Sequence, residues 1–230
     1  MKSIAILGLS AALFAAGPMA VTTQANAQQM DEKKMSMKGM EKPASEKSMT
    51  WARDKLKGWP QKNQETAAKM IDEYGEPDGQ TDMLLIWNES GPFKQTILSK
   101  EQIDHRFPMP HKDYLEQVID YKVPPDKFDE LARYDGSVIA ERTKGTLSAR
   151  CDKEAANFLA LNLAHDIVTD RKSVEQAREY YARAIKDMMA GKMDPYLEKL
   201  QFNPPSGRTA DADSPAPAMR SASSESPTGK

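Results

Sequence analysis

Residues 83–98 decide the fold, and they read MLLIWNESGPFKQTIL. An apolar run at 83–87, turn residues at 89–92 and a returning run at 93–98 are the pattern of a β-hairpin. A second hairpin is predicted over 137–151. Because an isolated hairpin is marginal in water, the two hairpins are expected to pair into one small antiparallel sheet of about four strands.

Five segments around the hairpins carry apolar residues at helical spacing. They are 60–74, 112–121, a short helix around 128–132, and two long helices that begin after Asp152 and after Ser173. Asp152 is the expected N-cap of the first long helix, and Ser173 with Gln176 forms a capping box for the last. The sequence therefore predicts an α+β domain in which about five helices cover one face of the sheet.

Length and charge exclude some classes of protein. The chain has 230 residues, 29% of them charged, and a formal net charge of -2. This length allows one domain or two small ones. The charge content excludes a multi-span membrane protein, and the near-zero balance excludes the strongly basic surface of a usual nucleic-acid binder. Cys151 is the only cysteine, so no intramolecular disulfide can form.

The N-terminus has the pattern of a cleaved signal peptide, residues 1–27. Lys2 is the positive start, residues 4–16 are apolar but too short to span a bilayer, and Ala25-Asn26-Ala27 is a small-x-small cleavage site. The mature chain is expected to be periplasmic or secreted, with no transmembrane segment after cleavage. The remaining chain is predicted to comprise a disordered Met- and Lys-rich leader at 28–58, a single domain at 59–202 and a disordered Ser/Pro/Ala-rich tail at 203–230.

The densest candidate site is the segment DHRFPMPHKD. His105 and His111 are two of only three histidines in the chain, and the prolines between them stiffen the backbone. Imidazoles in a rigid loop can bind a borderline metal ion, and the thioether of Met109 would suit copper. One histidine could instead act as a general base, and Arg106 is a further binding candidate. The structural alternative is a stiff connector that fills the core with Phe107 and Met109.

A second group of candidate copper ligands lies in the leader. Thioethers can hold Cu(I), and four methionines crowd eleven residues there. These residues are Met30, Met35, Met37 and Met40. Oxidant scavenging or a plain spacer are the alternatives.

Cys151 supports two opposite interpretations. It precedes a predicted helix, and a helix N-terminus lowers a thiol pKa, so a reactive thiolate could form with His105, His111 or His165 as base. Alternation along the predicted strand instead places Cys151 on the apolar face, as a small buried residue. No catalytic residue is assigned, and Cys151 and His165 are the candidates.

The long central helix carries polar residues in an otherwise apolar sequence. Asn162, His165 and Asp166 are neighbours at helical spacing. They either line a cleft, which makes Asn162 and Asp166 binding candidates, or bond to neighbouring backbone groups, because buried polar groups need partners.

Residues 74–181 carry seven short motifs: YGEPD, GPFK, HRFPMPH, YDGSV, RTKG, ARCD and NFLALN. With these motifs the chain resembles a family of exported bacterial proteins of uncharacterised function. The resemblance implies export and a single domain, and it implies no activity. GEPD at 75–78 and Trp87 are also similar to small outer-membrane assembly lipoproteins, whose lipid-bearing cysteine this chain lacks.

Three functions follow as hypotheses. The first is an exported, non-catalytic binding or structural module of the bacterial cell envelope with an envelope protein as partner and no cofactor. The second is a periplasmic copper-handling protein, and the third is a Cys/His-dependent enzyme. Both chemical hypotheses gain strong support if His105, His111, Cys151 and His165 converge to within about 4–6 Å around one pocket.

Overall fold

The computed structural model describes residues 54–216. The predicted signal peptide lies outside these residues. So do the four candidate ligands of the predicted leader, Met30, Met35, Met37 and Met40. The helices are α1 Gln61–Tyr74, α2 Phe128–Tyr134, α3 Glu154–Val168, α4 Val174–Met189 and α5 Pro195–Glu198, with a 3-10 turn at Pro125–Lys127. The strands are β1 Gly79–Gln80, β2 Leu84–Ser90, β3 Phe93–His105, β4 His111–Asp120, β5 Val138–Glu141 and β6 Thr146–Cys151.

The strands form one antiparallel sheet in the order β1-β2-β3-β4-β6-β5. The predicted α+β class is therefore confirmed, although the sheet has six strands rather than the four of two hairpins. One row of paired residues crosses four strands, namely Leu85, Leu98, Leu115 and Cys151. Directly paired residues point to the same face of a sheet, so this row gives the helices a continuous apolar face.

The helix predicted over 112–121 is wrong, because this segment is strand β4. Leu115, Val118 and Ile119 have helical spacing, but β4 is the central strand that joins β3 to β6. Polar Asp113 and Gln117 are buried in it at 1% and 0% exposure. These buried polar residues interrupt the apolar alternation that would have indicated a strand.

Two apolar clusters fill the space between helices and sheet. α1 packs on β2, β3 and β4 through the first cluster, in which the indole nitrogen of Trp87 donates a 2.8 Å hydrogen bond to the carbonyl of Gly75. The second cluster surrounds α3, which is buried on most sides as predicted. The capping box of Ser173 and Gln176 is confirmed, whereas the N-cap of α3 is Lys153 rather than Asp152.

The folded contacts extend past both predicted boundaries of the domain. Leu56, in the predicted leader, is 2% exposed and belongs to the first cluster. Thr209, in the predicted tail, is 6% exposed, and Asp211 bonds to Arg142 through both its side chain and its backbone N–H. Within residues 54–216, no helix combines the length and apolar character needed to cross a membrane.

Gly145 is the contact point for the C-terminal segment, and Gly145→Ala should detach it. Gly145 has a φ of +72°, and a Cβ there would lie 2.3 Å from backbone atoms of Thr209 and Ala210. We expect a loss of about 1–2 kcal/mol in unfolding free energy, because alanine also strains this left-handed conformation. Limited proteolysis should cut the variant within 203–216 well before wild type.

Gly207→Ala is the matched control, since a Cβ at Gly207 meets no atom within 4 Å. Equal protease resistance of the Gly145→Ala variant and wild type would contradict the docking of this segment.

Candidate metal centre

The hairpin of β3 and β4 places His105 and His111 directly opposite each other. The register pairs His105 with His111, and their ring centroids are 4.8 Å apart. The pairing is irregular just before this end of the hairpin. Leu98 pairs with Leu115 and Ile103 pairs with Asp113, so five steps along β3 match only two along β4. Such a bulge bends the strand and redirects side chains. The five residues between the histidines are therefore a hairpin turn.

Asp113 lies between the two imidazoles. Its Oδ2 is 3.2 Å from Nδ1 of His105, and its Oδ1 is 3.0 Å from Nε2 of His111. One ligand atom from each of the three residues lies within 4.8 Å of the other two. Asp113 is 1% exposed, and the side chains of both histidines are less than one-fifth exposed. This is a compact, largely buried set of two nitrogen donors and one carboxylate.

Cys151 adjoins this three-residue cluster from the other side of β4. It is the last residue of β6 and pairs with Leu115, so that its sulfur lies 3.4 Å from Nε2 of His111. Cys151 is 6% exposed, which confirms the prediction that it points inward. Its sulfhydryl donates to Oδ1 of Asp152 at 3.6 Å. The two residues proposed separately as metal ligand and thiol thus belong to one site.

Surrounding groups orient the two imidazoles. Nδ1 of His111 donates a 2.8 Å hydrogen bond to the carbonyl of Met109, which leaves Nε2 directed at the cluster. Nε2 of His105 lies 3.5 Å from the Asp135 carboxylate, which leaves Nδ1 directed at Asp113. A histidine that binds a metal usually donates its other N–H to a carbonyl or a carboxylate in this way.

Asp135 and Ser137 were not identified as site residues from the sequence, although they lie in the YDGSV motif. The Ser137 hydroxyl donates to Oδ2 of Asp113, and its backbone N–H donates a 2.8 Å bond to Oδ1 of Asp135. Asp135 is 4% exposed. The loop between α2 and β5 therefore holds the carboxylates of the site, and the aspartate–glycine–serine sequence before a strand is the signal that could have identified it.

Two polar atoms in this cluster are buried without a hydrogen bond, Nδ1 of His105 and Oδ1 of Asp113. Both have a close neighbour at 3.2 and 3.0 Å, so their angles, not their distances, prevent a hydrogen bond. The two imidazole nitrogens are close to the Asp113 carboxylate, but their N–H directions do not point at its oxygens. Buried polar atoms of native proteins are nearly always satisfied, and an exception points to a missing water or ion.

Burial and neighbouring polar groups shift the pKa values of three residues in the site. The Asp113 carboxylate is the main cause that raises the pKa of His111 to about 11, with Cys151 and the Met109 carbonyl adding to it. Burial acts to raise the pKa of Asp113, but His111 and Ser137 outweigh burial and lower it. Burial raises the pKa of the Cys151 thiol, and His111 offsets only part of that effect. His111 is therefore protonated and Asp113 ionised when the site holds no metal.

The remaining candidate residues lie elsewhere. The Nδ1 atom of His165 is 2.7 Å from the hydroxyl of Tyr121, which follows β4 at the end opposite His111. A ten-residue strand spans about 30 Å, so His165 is far from the cluster. Arg106 is exposed, and Met109 is 44% exposed, so Met109 does not fill the core. Phe107 does pack inward, with its ring centroid 5.2 Å from that of Tyr181.

Asn162 and Asp166 have structural roles. Asn162 donates to the carbonyls of Tyr196 and Lys199, and its own oxygen accepts from the Gln201 backbone. Asp166 accepts from Lys172 at 2.5 Å, and Arg171 and Tyr196 are further donors. The bonds of Asn162 attach the segment after α4 to the central helix, which supports the backbone-bonding interpretation for Asn162. Asp166 instead bonds to side chains before and after α4.

The geometry suits metal binding better than thiol catalysis. In a Cys–His–Asp triad the thiol and the carboxylate contact different nitrogens of the histidine. Here Cys151 and Asp113 both face Nε2 of His111, and Nδ1 is used by a backbone carbonyl. Two ligand atoms that face the same ring nitrogen suit a shared metal ion, and they allow no proton relay through the ring.

The rate at which the Cys151 thiol is alkylated distinguishes metal binding from thiol catalysis. Because Cys151 is buried and its pKa is raised, iodoacetamide should modify the folded protein about 100-fold more slowly than the denatured chain at neutral pH. Mass spectrometry of the time course provides the two rates. Labelling of the folded protein as fast as that of the denatured chain would instead reveal an accessible thiolate, as the enzyme hypothesis requires.

No protein-family model, curated protein or solved structure matches this chain. The resemblance of residues 74–181 to exported bacterial proteins thus stays a prediction. The chemistry of the site follows from its own geometry.

Proposed function

We propose that this protein binds one transition-metal ion through His105, His111 and Asp113, with Cys151 as the fourth ligand. The observation that supports this most directly is the pair of buried, unbonded atoms, Nδ1 of His105 and Oδ1 of Asp113. A cation among these groups would satisfy both atoms at once. It would also replace the proton that His111 carries in the metal-free protein, since metal ligands must be deprotonated.

The donor set favours a borderline metal. Imidazoles suit zinc, copper, nickel and iron, thiolate suits copper and zinc, and magnesium and calcium prefer oxygen ligands alone. Two nitrogens, one carboxylate and one sulfur therefore select against the hard cations. The buried position of Asp113 adds to this, because Mg²⁺ retains several waters in its coordination shell.

The biological role we propose is metal binding in the bacterial cell envelope. It combines the site with the predicted signal peptide at 1–27, which would deliver the domain to the periplasm or outside the cell. This proposed role is a specific form of the non-catalytic binding module. It also covers the copper-handling hypothesis, because copper forms the tightest complexes in the divalent series.

Titration of the full-length chain with Co(II) tests the proposal. We expect one equivalent to bind with visible absorption typical of a low-coordinate cobalt site, and a charge-transfer band from Cys151. His105→Ala and His111→Ala should each weaken binding by about 100-fold or more. His165→Gln is the matched control, because it removes the only histidine outside the site and should leave the titration unchanged. Binding no tighter than about 1 mM would refute the proposal.

A further inference from the structure

A cavity of about 260 Å³ opens beside the metal centre. His111 and Cys151 line it where it meets the proposed site. The β3–β4 turn, the start of α3 with Asp152 and Lys153, and α4 form its remaining walls. Met109, Met188 and Met189 line the same cavity. We call these three methionines the thioether mouth.

The thioether mouth is unusual in its exposure. Met109 is 44% and Met189 is 67% exposed, so these side chains are not used to fill the core. They come from different parts of the chain, one from the β3–β4 turn and two from the last residues of α4. The remaining apolar lining includes Tyr181 and Ile185. Met188 is half-buried and packs partly against the second cluster. Three methionines therefore line a cavity that Cys151 and His111 also line.

We infer that the thioether mouth admits and holds a monovalent soft cation of the Cu(I) class, and that this ion reaches the proposed centre through Cys151 and His111. The inference rests on the proposed function and names its cargo. Thioether and thiolate ligands select Cu(I), whereas Zn(II) and Co(II) gain little from a thioether. The ion enters and is held as Cu(I), so no oxidant or reductant takes part.

The chemistry separates the mouth from the inner site. The histidines and Asp113 bind divalent ions without help from methionine, so changes at the mouth should leave Co(II) binding intact. A monovalent d¹⁰ ion should depend on the methionines. Leucine is a suitable replacement because Leu and Met have similar volumes and their exchange is tolerated in most sites.

Silver(I) is the probe, as an air-stable ion with the ligand preferences of Cu(I). The full-length chain is labelled with ¹³C at the methionine methyl groups and titrated with Ag(I) by NMR, with each resonance assigned by a Met→Leu variant. The methyl signals of the three mouth methionines should shift together within the first equivalent. In the triple variant Met109→Leu/Met188→Leu/Met189→Leu, Ag(I) affinity should fall about tenfold or more, while Co(II) affinity stays unchanged.

Met83→Leu and Met193→Leu are the matched controls, because both side chains are about half exposed and neither lines the cavity. Silver shifts confined to other methionines, or equal Ag(I) affinity in the triple variant, would overturn the inference and leave the Co(II) site standing. Loss of Co(II) binding in the triple variant would also overturn it, since mouth and inner site would then be inseparable. Failure of wild type to bind Co(II) would instead remove the proposed function.

Discussion

Asp113→Asn should reduce Co(II) affinity by about 100-fold or more while the domain remains folded. The Asp113 carboxylate is the only oxygen ligand of the proposed site, since the other three ligands supply nitrogen or sulfur. An amide in its place is a far weaker metal ligand. The amide oxygen can still accept from Ser137, so the packing around position 113 is preserved. The measurement is the same visible titration, combined with thermal unfolding of the metal-free protein.

The metal-free variant should also be less stable, because Asp113 is the charge that opposes protonated His111. Removing one partner of a buried pair is costly, but His111 can lose its proton, so we expect a loss of about 2 kcal/mol in unfolding free energy. Asp104→Asn is the matched control, since Asp104 lies in the same hairpin with its side chain 81% exposed and paired with Lys112. Unchanged cobalt affinity in Asp113→Asn would exclude Asp113 as a ligand.

Trp87→Ala should be among the most destabilising single substitutions, at about 3–5 kcal/mol in unfolding free energy. Trp87 is 2% exposed and anchors α1 to the sheet through its packing and its bond to Gly75. Since whole domains are stable by only about 5–15 kcal/mol, this loss would approach the stability of the fold. Urea unfolding followed by far-UV circular dichroism measures it.

Two control variants, Trp87→Phe and Met83→Ala, should each lose less stability than Trp87→Ala. Phenylalanine preserves most of the apolar packing and removes the hydrogen bond, so about 1–2 kcal/mol of the loss should remain. Met83 is 48% exposed, and its removal should cost less than about 0.5 kcal/mol. A Trp87→Ala variant as stable as Met83→Ala would show that α1 does not depend on this contact.

The sequence predicts the two hairpins, four of its five expected helices and the α+β class because their signals are local. The helix α3 is apolar on most sides, and Ser173 with Gln176 is a complete local motif. Strand β4 was missed because its buried face includes Asp113 and Gln117, whose polarity serves the site and the network around Glu154 and Asn157. Where function and buried hydrogen bonds place polar residues in a strand, hydrophobic periodicity no longer identifies it.

The site was predicted in separate pieces. His105 and His111 were recognised from their spacing around two prolines, and Cys151 from its position at a strand end. Their convergence depends on the pairing of β4 with β6, a long-range contact that brings Leu115 beside Cys151. Local sequence patterns do not contain that pairing, and nothing in them separates His165, which is bonded to Tyr121, from the other two histidines.

Anomalous diffraction from crystals of the full-length, Co(II)-loaded protein would test the proposed centre most directly. We expect one strong peak at about 2.0–2.3 Å from Nδ1 of His105, Nε2 of His111, a carboxylate oxygen of Asp113 and the sulfur of Cys151. A peak away from both histidines, or no peak in crystals shown by elemental analysis to contain cobalt, would contradict it.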